Sequence, residues 1–190
     1  MSQKSHFIAI NSSPRSESNS TLLLHEICRG ISEKGGSFEE ISLHDIKLNP
    51  CRACDSCLRS KNQQCIQKDG MNAIYPKLLS ATGFVISSPI YWFTYSAQLK
   101  MFIDRLYALD FNSGMPFKGK TAVVVFCYGA EDVYDSGAIN AIRSFQDMFR
   151  FMEMKWWDFV YGSATDPGQI HQKPDLLSKA YKLGKKLCMI

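Results

Sequence analysis

Phe7-Ile8-Ala9-Ile10-Asn11-Ser12-Ser13-Pro14-Arg15-Ser16-Glu17-Ser18-Asn19-Ser20-Thr21 is the stretch that decides the fold. Its first four residues are an unbroken apolar run, the pattern of a parallel strand covered on both faces. Beyond the polar segment, Leu24, Ile27, Cys28 and Ile31 recur at i, i+3, i+4 and i+7, the apolar stripe of a helix. A buried strand, a polar turn and an amphipathic helix make the opening half of a βαβ unit. Gly35-Gly36 closes the helix, and Phe38 to Leu43 alternates like a less buried strand.

The same alternation continues outward. Asp69 can cap a short helix from Met71 to about Ser80, and Gly83 to Ile86 reads as the third strand. Leu99, Phe102, Ile103 and Leu106 mark the next helix, Thr121 to Cys127 the fourth strand, and Ile139, Ile142, Phe145 and Phe149 the helix after it. Trp156 to Tyr161 is the fifth strand and Leu176 to Leu187 the closing helix. Five strands alternating with five helices predict a doubly wound α/β sheet with right-handed crossovers, which binds ligands beyond the carboxyl ends of its strands.

The 190 residues suit one domain. With 45% hydrophobic and 21% charged residues, disordered and collagen-like classes are excluded. No stretch approaches the roughly 18 apolar residues of a membrane helix, and Phe7 to Ile10 is too short for a signal-peptide core, so a cytoplasmic protein is expected. The net charge of +4 is too small and too scattered for a nucleic-acid footprint. Lys179, Lys182, Lys185 and Lys186 read as a solvated helix face, favoured by the macrodipole. His6, His25, His44 and His171 show no paired metal spacing, and no G-x-S-x-G nucleophile motif occurs.

Three strand ends carry the chemistry. After the first strand, five serines with Asn, Thr and Arg precede a helix, where free N–H groups and the positive dipole end suit a phosphate. Arg15 can add a charge-assisted fork. Neither G-x-G-x-x-G nor G-x-x-x-x-G-K-S/T is present. After the third strand, Ser87-Ser88-Pro89-Ile90-Tyr91-Trp92-Phe93-Thr94-Tyr95 reads as a loop with four aromatics, a platform for a planar heteroaromatic ring. After the fourth, Tyr128-Gly129 allows close backbone approach to a ligand.

A loop expected from His44 to Lys68 holds Cys51, Cys54, Cys57 and Cys65 in the spacing C-x2-C-x2-C-x7-C. Four thiolates so spaced suit a [4Fe-4S] cluster or zinc, and in a reducing compartment they can equally stay free thiols. Cys28, Cys127 and Cys188 lie at apolar positions and read as packing residues.

The sequence resembles the flavodoxin-like NAD(P)H-dependent FMN reductases, and more closely their iron-sulfur flavoprotein branch. The matching motifs are Ser12-Ser13-Pro14-Arg15 with Ser18-Asn19-Ser20, and Ser88-Pro89-Ile90-Tyr91-Trp92 followed by Ser96, Leu99-Lys100 and Phe102-Ile103-Asp104-Arg105. The resemblance implies a five-stranded parallel sheet of order 2-1-3-4-5, with Ser12, Arg15, Ser18, Asn19 and Ser20 on the FMN phosphate. It implies Pro89, Ile90, Tyr91, Trp92 and Phe93 on the ring, Tyr128 and Gly129 as a third flavin loop, and a homodimer or homotetramer. The expected activity is hydride transfer from NADH or NADPH through FMN to a quinone, nitroaromatic, flavin or other small acceptor. The alternative is an electron carrier with a [4Fe-4S] cluster and a ferredoxin-like partner, and a third reading is a regulatory or thiol-sensing binding protein.

Overall fold

A computed structural model describes residues 5–59, 65–109 and 114–190. Most of the seven-residue spacer between Cys57 and Cys65, within the expected cysteine loop, lies outside the described residues. In chain order the elements are β1 His6–Asn11, α1 Asn19–Glu33, β2 Ser37–Ser42, α2 Ser56–Arg59, α3 Met71–Ser80, β3 Gly83–Tyr91, β4 Thr94–Tyr95 and α4 Ala97–Arg105. A 3-10 turn at Leu106–Leu109 follows, then β5 Thr121–Tyr128, α5 Ala138–Phe151, β6 Trp156–Ser163, a second 3-10 turn at Gln169–Gln172 and α6 Pro174–Leu187.

The parallel sheet runs β2-β1-β3-β5-β6, with β4 antiparallel on β3. Setting that hairpin strand aside, this is the expected 2-1-3-4-5 order. All eight residues of β5, in the middle of the sheet, are buried. Because successive side chains point to opposite faces, the strands feed two apolar layers. Ile8, Ile10, Val124 and Phe126 pack with α3, α4 and α5 on one side, and Phe7, Ala9, Val123 and Val125 with α1 and α6 on the other. On the second face α1 and α6 touch backbone to backbone, since a Cβ on Gly184 would collide with the Ile27 carbonyl and one on Gly30 with that of Tyr181. Among the described residues no helix is long and apolar enough to cross a membrane.

Three sequence expectations change. The third strand does not stop at Ile86: its pairing with β5 continues through Pro89 opposite Cys127. Proline fixes its own φ and biases the residue before it to extended backbone, so Ser88-Pro89 continues a strand here instead of breaking one. The aromatic stretch is therefore a strand end and a hairpin, and the reading of Ser87 to Tyr95 as a loop is corrected. The segment from His44 to Lys68 is not wholly irregular, because Ser56–Arg59 makes one helical turn. Asp69 caps α3 from one residue outside the formal N-cap, its Oδ1 accepting from the Met71 N–H at 3.1 Å.

Candidate functional site

The reversal of strand order lies between β1 and β3, and the residues after both strands meet there. Ser12 is fully buried and joins three elements: its N–H and Oγ both donate to Ser87 O, at 3.0 and 2.8 Å, and Ser96 Oγ lies 3.1 Å from Ser12 O and 3.0 Å from its Oγ. Its hydroxyl is thus engaged inside the protein. Ser18 stands at the N-cap of α1 with extended backbone, yet its Oγ pairs with Ser20 Oγ at 2.8 Å and makes no capping bond. The first N–H groups of α1 have no intrahelical acceptor, and the Ser18 side chain does not cap them. That end carries roughly half a positive charge. Arg15 is exposed beside it, and no described residue forms an ion pair or hydrogen bond with its guanidinium.

Asn19 has a different task. Its Oδ1 accepts from Ile170 N at 3.1 Å, and its Nδ2 donates to Ala164 O at 3.2 Å and Asp166 O at 2.9 Å. It pins the turn after β6, which carries Thr165 and Pro167 into the wall of the same cleft. This fourth loop escaped the sequence reading, although Asp166-Pro167-Gly168 directly after an apolar strand is a turn signal that could have found it. Ser13 and Glu17 also line the cleft and were missed.

The aromatic hairpin forms the other wall. Ser88 Oγ donates to Pro89 O at 2.8 Å and accepts from Ser96 N at 2.9 Å, fixing the strand to the start of α4. At the hairpin tip Trp92 and Phe93 have φ of +48° and +66°, left-handed values that bulky residues rarely adopt. Two consecutive positive φ values are what a tight two-residue hairpin demands, normally met by Asn-Gly. The tip is held in place by α5: Asn140 Nδ2 donates to Phe93 O at 3.3 Å, and Gly137, itself at φ +73°, leaves room for Phe93 where a Cβ would collide with it. Trp92 remains 91% exposed.

These walls bound two adjoining clefts. A narrow one of about 150 Å³ contains Arg15, Ser18, Asn19 and Cys127. An open one of about 610 Å³ contains Trp92, Phe93, Asp135 and Ser136, and the two share Ile90, Tyr91, Tyr128 and Gly129. Of the predicted residues, Arg15, Ser18, Asn19, Pro89, Ile90, Tyr91, Tyr128 and Gly129 line the narrow cleft, and Trp92 and Phe93 line the open one; Ser12 and Ser20 lie behind the wall. Burial pushes the Cys127 thiol up to about 12, so it stays a neutral wall residue. Burial also raises the Tyr128 phenol, with smaller contributions from Tyr161 and Asp132.

The cysteine loop is held differently. Arg105, at the end of α4, is 1% exposed; its Nη1 donates to Asn49 O at 2.8 Å and to Asp69 Oδ2 at 2.6 Å, and its Nη2 to Asp69 Oδ1 at 3.1 Å and Cys65 Sγ at 3.4 Å. Asp69 also accepts from the Asn49 N–H at 3.0 Å. Burial pulls the Asp69 carboxyl upward, but hydrogen bonds from Arg105 and from the Asn49 and Met71 N–H groups outweigh it and hold the acid below its usual range. Both ends of the loop are therefore fastened to one buried ion pair. Between them Ala53 and Asp55 take φ of +50° and +53°, turning the chain sharply around Cys54. Cys51 and Cys54 are exposed, Cys57 buried and Cys65 half-buried. Hydrogen bonding to Ser56 lowers the Cys54 thiol, while burial, then the nearby Cys65 and Cys51, raise that of Cys57. Among the described residues no three potential ligands stand close enough to share one metal ion.

Fold and cleft together define a doubly wound α/β protein with a helix N-terminus and Arg15 beside an aromatic slot. The sequence profile of the NADPH-dependent FMN reductases matches residues 6–159, and the chain belongs to that family. It is 43% identical over 118 residues to an iron-sulfur flavoprotein of Methanocaldococcus jannaschii, a match covering 62% of this chain and 60% of that one. It is 26% identical over 187 residues to an iron-sulfur flavoprotein of Archaeoglobus fulgidus, covering 95% and 77%. Among solved structures, the NAD(P)H:quinone oxidoreductase from Methanothermobacter marburgensis superposes with a TM-score of 0.73 at 20% identity, over 97% of this chain and 98% of that one. At that identity the likeness bears on the fold, which is flavodoxin-like.

Proposed function

We propose that this chain is a single FMN-binding domain acting as an oxidoreductase, which takes electrons from NADH or NADPH and passes them to a quinone, nitroaromatic, flavin or other small acceptor. One observation carries the reading: the uncapped N-terminus of α1 with Arg15 and the aromatic hairpin are two ends of one continuous cleft. The residues fit FMN, since a dianionic phosphate is matched by free N–H groups and a guanidinium, and a planar ring by Ile90, Tyr91 and Tyr128. Bound FMN supplies the hydride acceptance at N5 and the return of electrons. The chain's own work is to bind and orient. Asn19 and Ser12 hold the cleft walls in register, Tyr128 presents a neutral phenol, and the Pro89–Tyr91 strand end gives the ring a firm edge. No acid-base pair is needed at such a site, because a nicotinamide stacked on the ring needs positioning above all. The reading includes a cytoplasmic setting and a homodimer or homotetramer.

Stopped-flow mixing of FMN-loaded protein with NADH or NADPH under anaerobic conditions tests it: bleaching of the flavin band within the turnover time supports the reductase, and an unbleached band contradicts it. A second reading is favoured by the four thiols of the cysteine loop and by the two named relatives. It is an electron carrier in which Cys51, Cys54, Cys57 and Cys65 hold a [4Fe-4S] cluster and a ferredoxin-like partner delivers single electrons. The donor type and spacing suit it. Cys65 and Cys51 lie near enough to Cys57 to raise its thiol, so three of the four donors share one neighbourhood. Iron and sulfide near four per chain after anaerobic purification would favour this reading, and iron-free protein would remove it.

A further inference from the structure

Two opposite charges face the two ends of the cleft. Arg15 stands at the narrow end with Glu17, while among the described residues the open end has no basic side chain in its wall and carries Asp135. The Asp135 carboxylate is exposed and makes no ion pair or side-chain hydrogen bond among the described residues. Its position is set by the turn before α5, where Asp132 Oδ1 accepts the N–H groups of Tyr134 at 2.7 Å and Asp135 at 2.9 Å. Asp132 is a second carboxylate on this turn, and it adds a small upward push on the Tyr128 phenol after burial and Tyr161. The Trp92 indole lines the same open cleft, almost wholly in solvent at a left-handed tip that α5 braces. A ring with a negative π face and a carboxylate in one open cleft both attract positive charge.

From this we infer that Asp135 and Trp92 set the substrate class of the open cleft: uncharged or cationic planar aromatics enter it, and anionic ones are disfavoured. The inference rests on the oxidoreductase reading and names the acceptors of that same site. It runs against the molecule's overall charge, because a net charge of +4 acting at long range would draw in anions. Local rim and global field thus demand opposite orders of reactivity. At about 7 Å in water one carboxylate changes the encounter with a unit charge by roughly threefold, and salt above about 0.5 M removes most of it.

The test uses the FMN holoprotein photoreduced with EDTA as the sacrificial electron donor, so that it does not depend on a nicotinamide. Anaerobic stopped flow then follows reoxidation by three forms of one naphthoquinone, bearing no charge, a sulfonate or a trimethylammonium group. Each quinone takes two electrons as a hydride from the reduced cofactor and one proton from water. The cationic form should react on the order of tenfold faster than the anionic form at low ionic strength, with the gap closing in high salt. Asp135→Asn should narrow the ratio by close to tenfold, since it acts with opposite sign on the two charged forms, and Asp135→Lys should reverse it. Asp132→Asn, which keeps an acceptor for the turn, should narrow it as well, and serves if the Asp135 variants do not fold. A faster anionic quinone, or a ratio unmoved by these substitutions in protein that retains its FMN, overturns the inference and leaves the oxidoreductase reading standing. Loss of FMN from Asp135→Asn alone would make Asp135 a flavin contact and also overturn it. Wild-type protein that binds no FMN contradicts both.

Discussion

The cleft proposed for FMN and the cysteine loop flank the same helix, α4, and are built on opposite principles. At its start Ser96 joins a web of neutral hydrogen bonds with Ser12, Ser87 and Ser88, each element tied by several short contacts. At its end Arg105 carries the cysteine loop on one buried ion pair. Neutral ties are individually modest, about 1 kcal/mol each, so the cleft is a wall that survives single losses. A buried pair behaves otherwise, since removing one partner strands the other's charge. The cleft is therefore preformed and robust, and the loop is conditional on two residues.

The largest expected effect breaks the loop. Arg105→Met leaves the buried Asp69 charge without its ion-pair partner, held only by the N–H donors of Asn49 and Met71, and should cost about 3 to 5 kcal/mol in urea unfolding, with Cys65 becoming much more reactive to alkylation. Removing both charges, as in Arg105→Met with Asp69→Leu, should recover part of that loss; if it recovers nothing, the pair is not what holds the loop. Acid probes the same contact. The folded Asp69 carboxyl is depressed below its unfolded value, so its contribution is present above about pH 4 and lost as pH falls through the lower folded value. Urea stability should therefore fall below about pH 4 in wild-type protein and fall less in the double variant.

Next comes the cleft's charge. Arg15→Ala should weaken FMN binding about 10- to 100-fold, as expected for one charge-assisted phosphate contact, with the apoprotein's melting temperature unchanged because the side chain is exposed. Ser12→Ala should cost about 1 to 2 kcal/mol of stability yet leave FMN affinity within a few-fold, which separates a wall residue from a phosphate contact. The smallest change is a gain. Trp92→Gly relieves a left-handed tryptophan that buries almost nothing and should stabilise the protein by about 0.5 to 1 kcal/mol while slowing the aromatic acceptors.

Much of this was legible in the sequence, for physical reasons that also mark where it stopped. Unbroken apolar runs at Phe7–Ile10 and Thr121–Cys127 signal buried parallel strands, because burial on both faces leaves no room for alternation. The start of α1 at Asn19 is five residues before its apolar stripe begins, since the first turn faces the cleft and is polar for that reason. Ser87-Ser88-Pro89 has the composition of a turn, and only pairing with β5 makes it a strand, a tertiary effect with no local signature. Ser12 and Arg15 sit in one motif but differ in role, because which serine faces inward depends on Ser87 and Ser96, more than seventy residues away. Arg105 enters the sequence reading only within the motif Phe102-Ile103-Asp104-Arg105, and its burial has no local sign because it depends on Asn49 and Asp69 arriving from elsewhere in the chain.

The central claim is that the cleft binds FMN by the helix end and Arg15 and passes it electrons from a nicotinamide. The most direct test is an anaerobic titration of apoprotein with FMN, followed in the same cuvette by NADH or NADPH. One FMN bound per chain, and its absorption lost on adding the nicotinamide, is the expected result. Failure to retain FMN, or a bound flavin that neither nicotinamide reduces, would contradict the account.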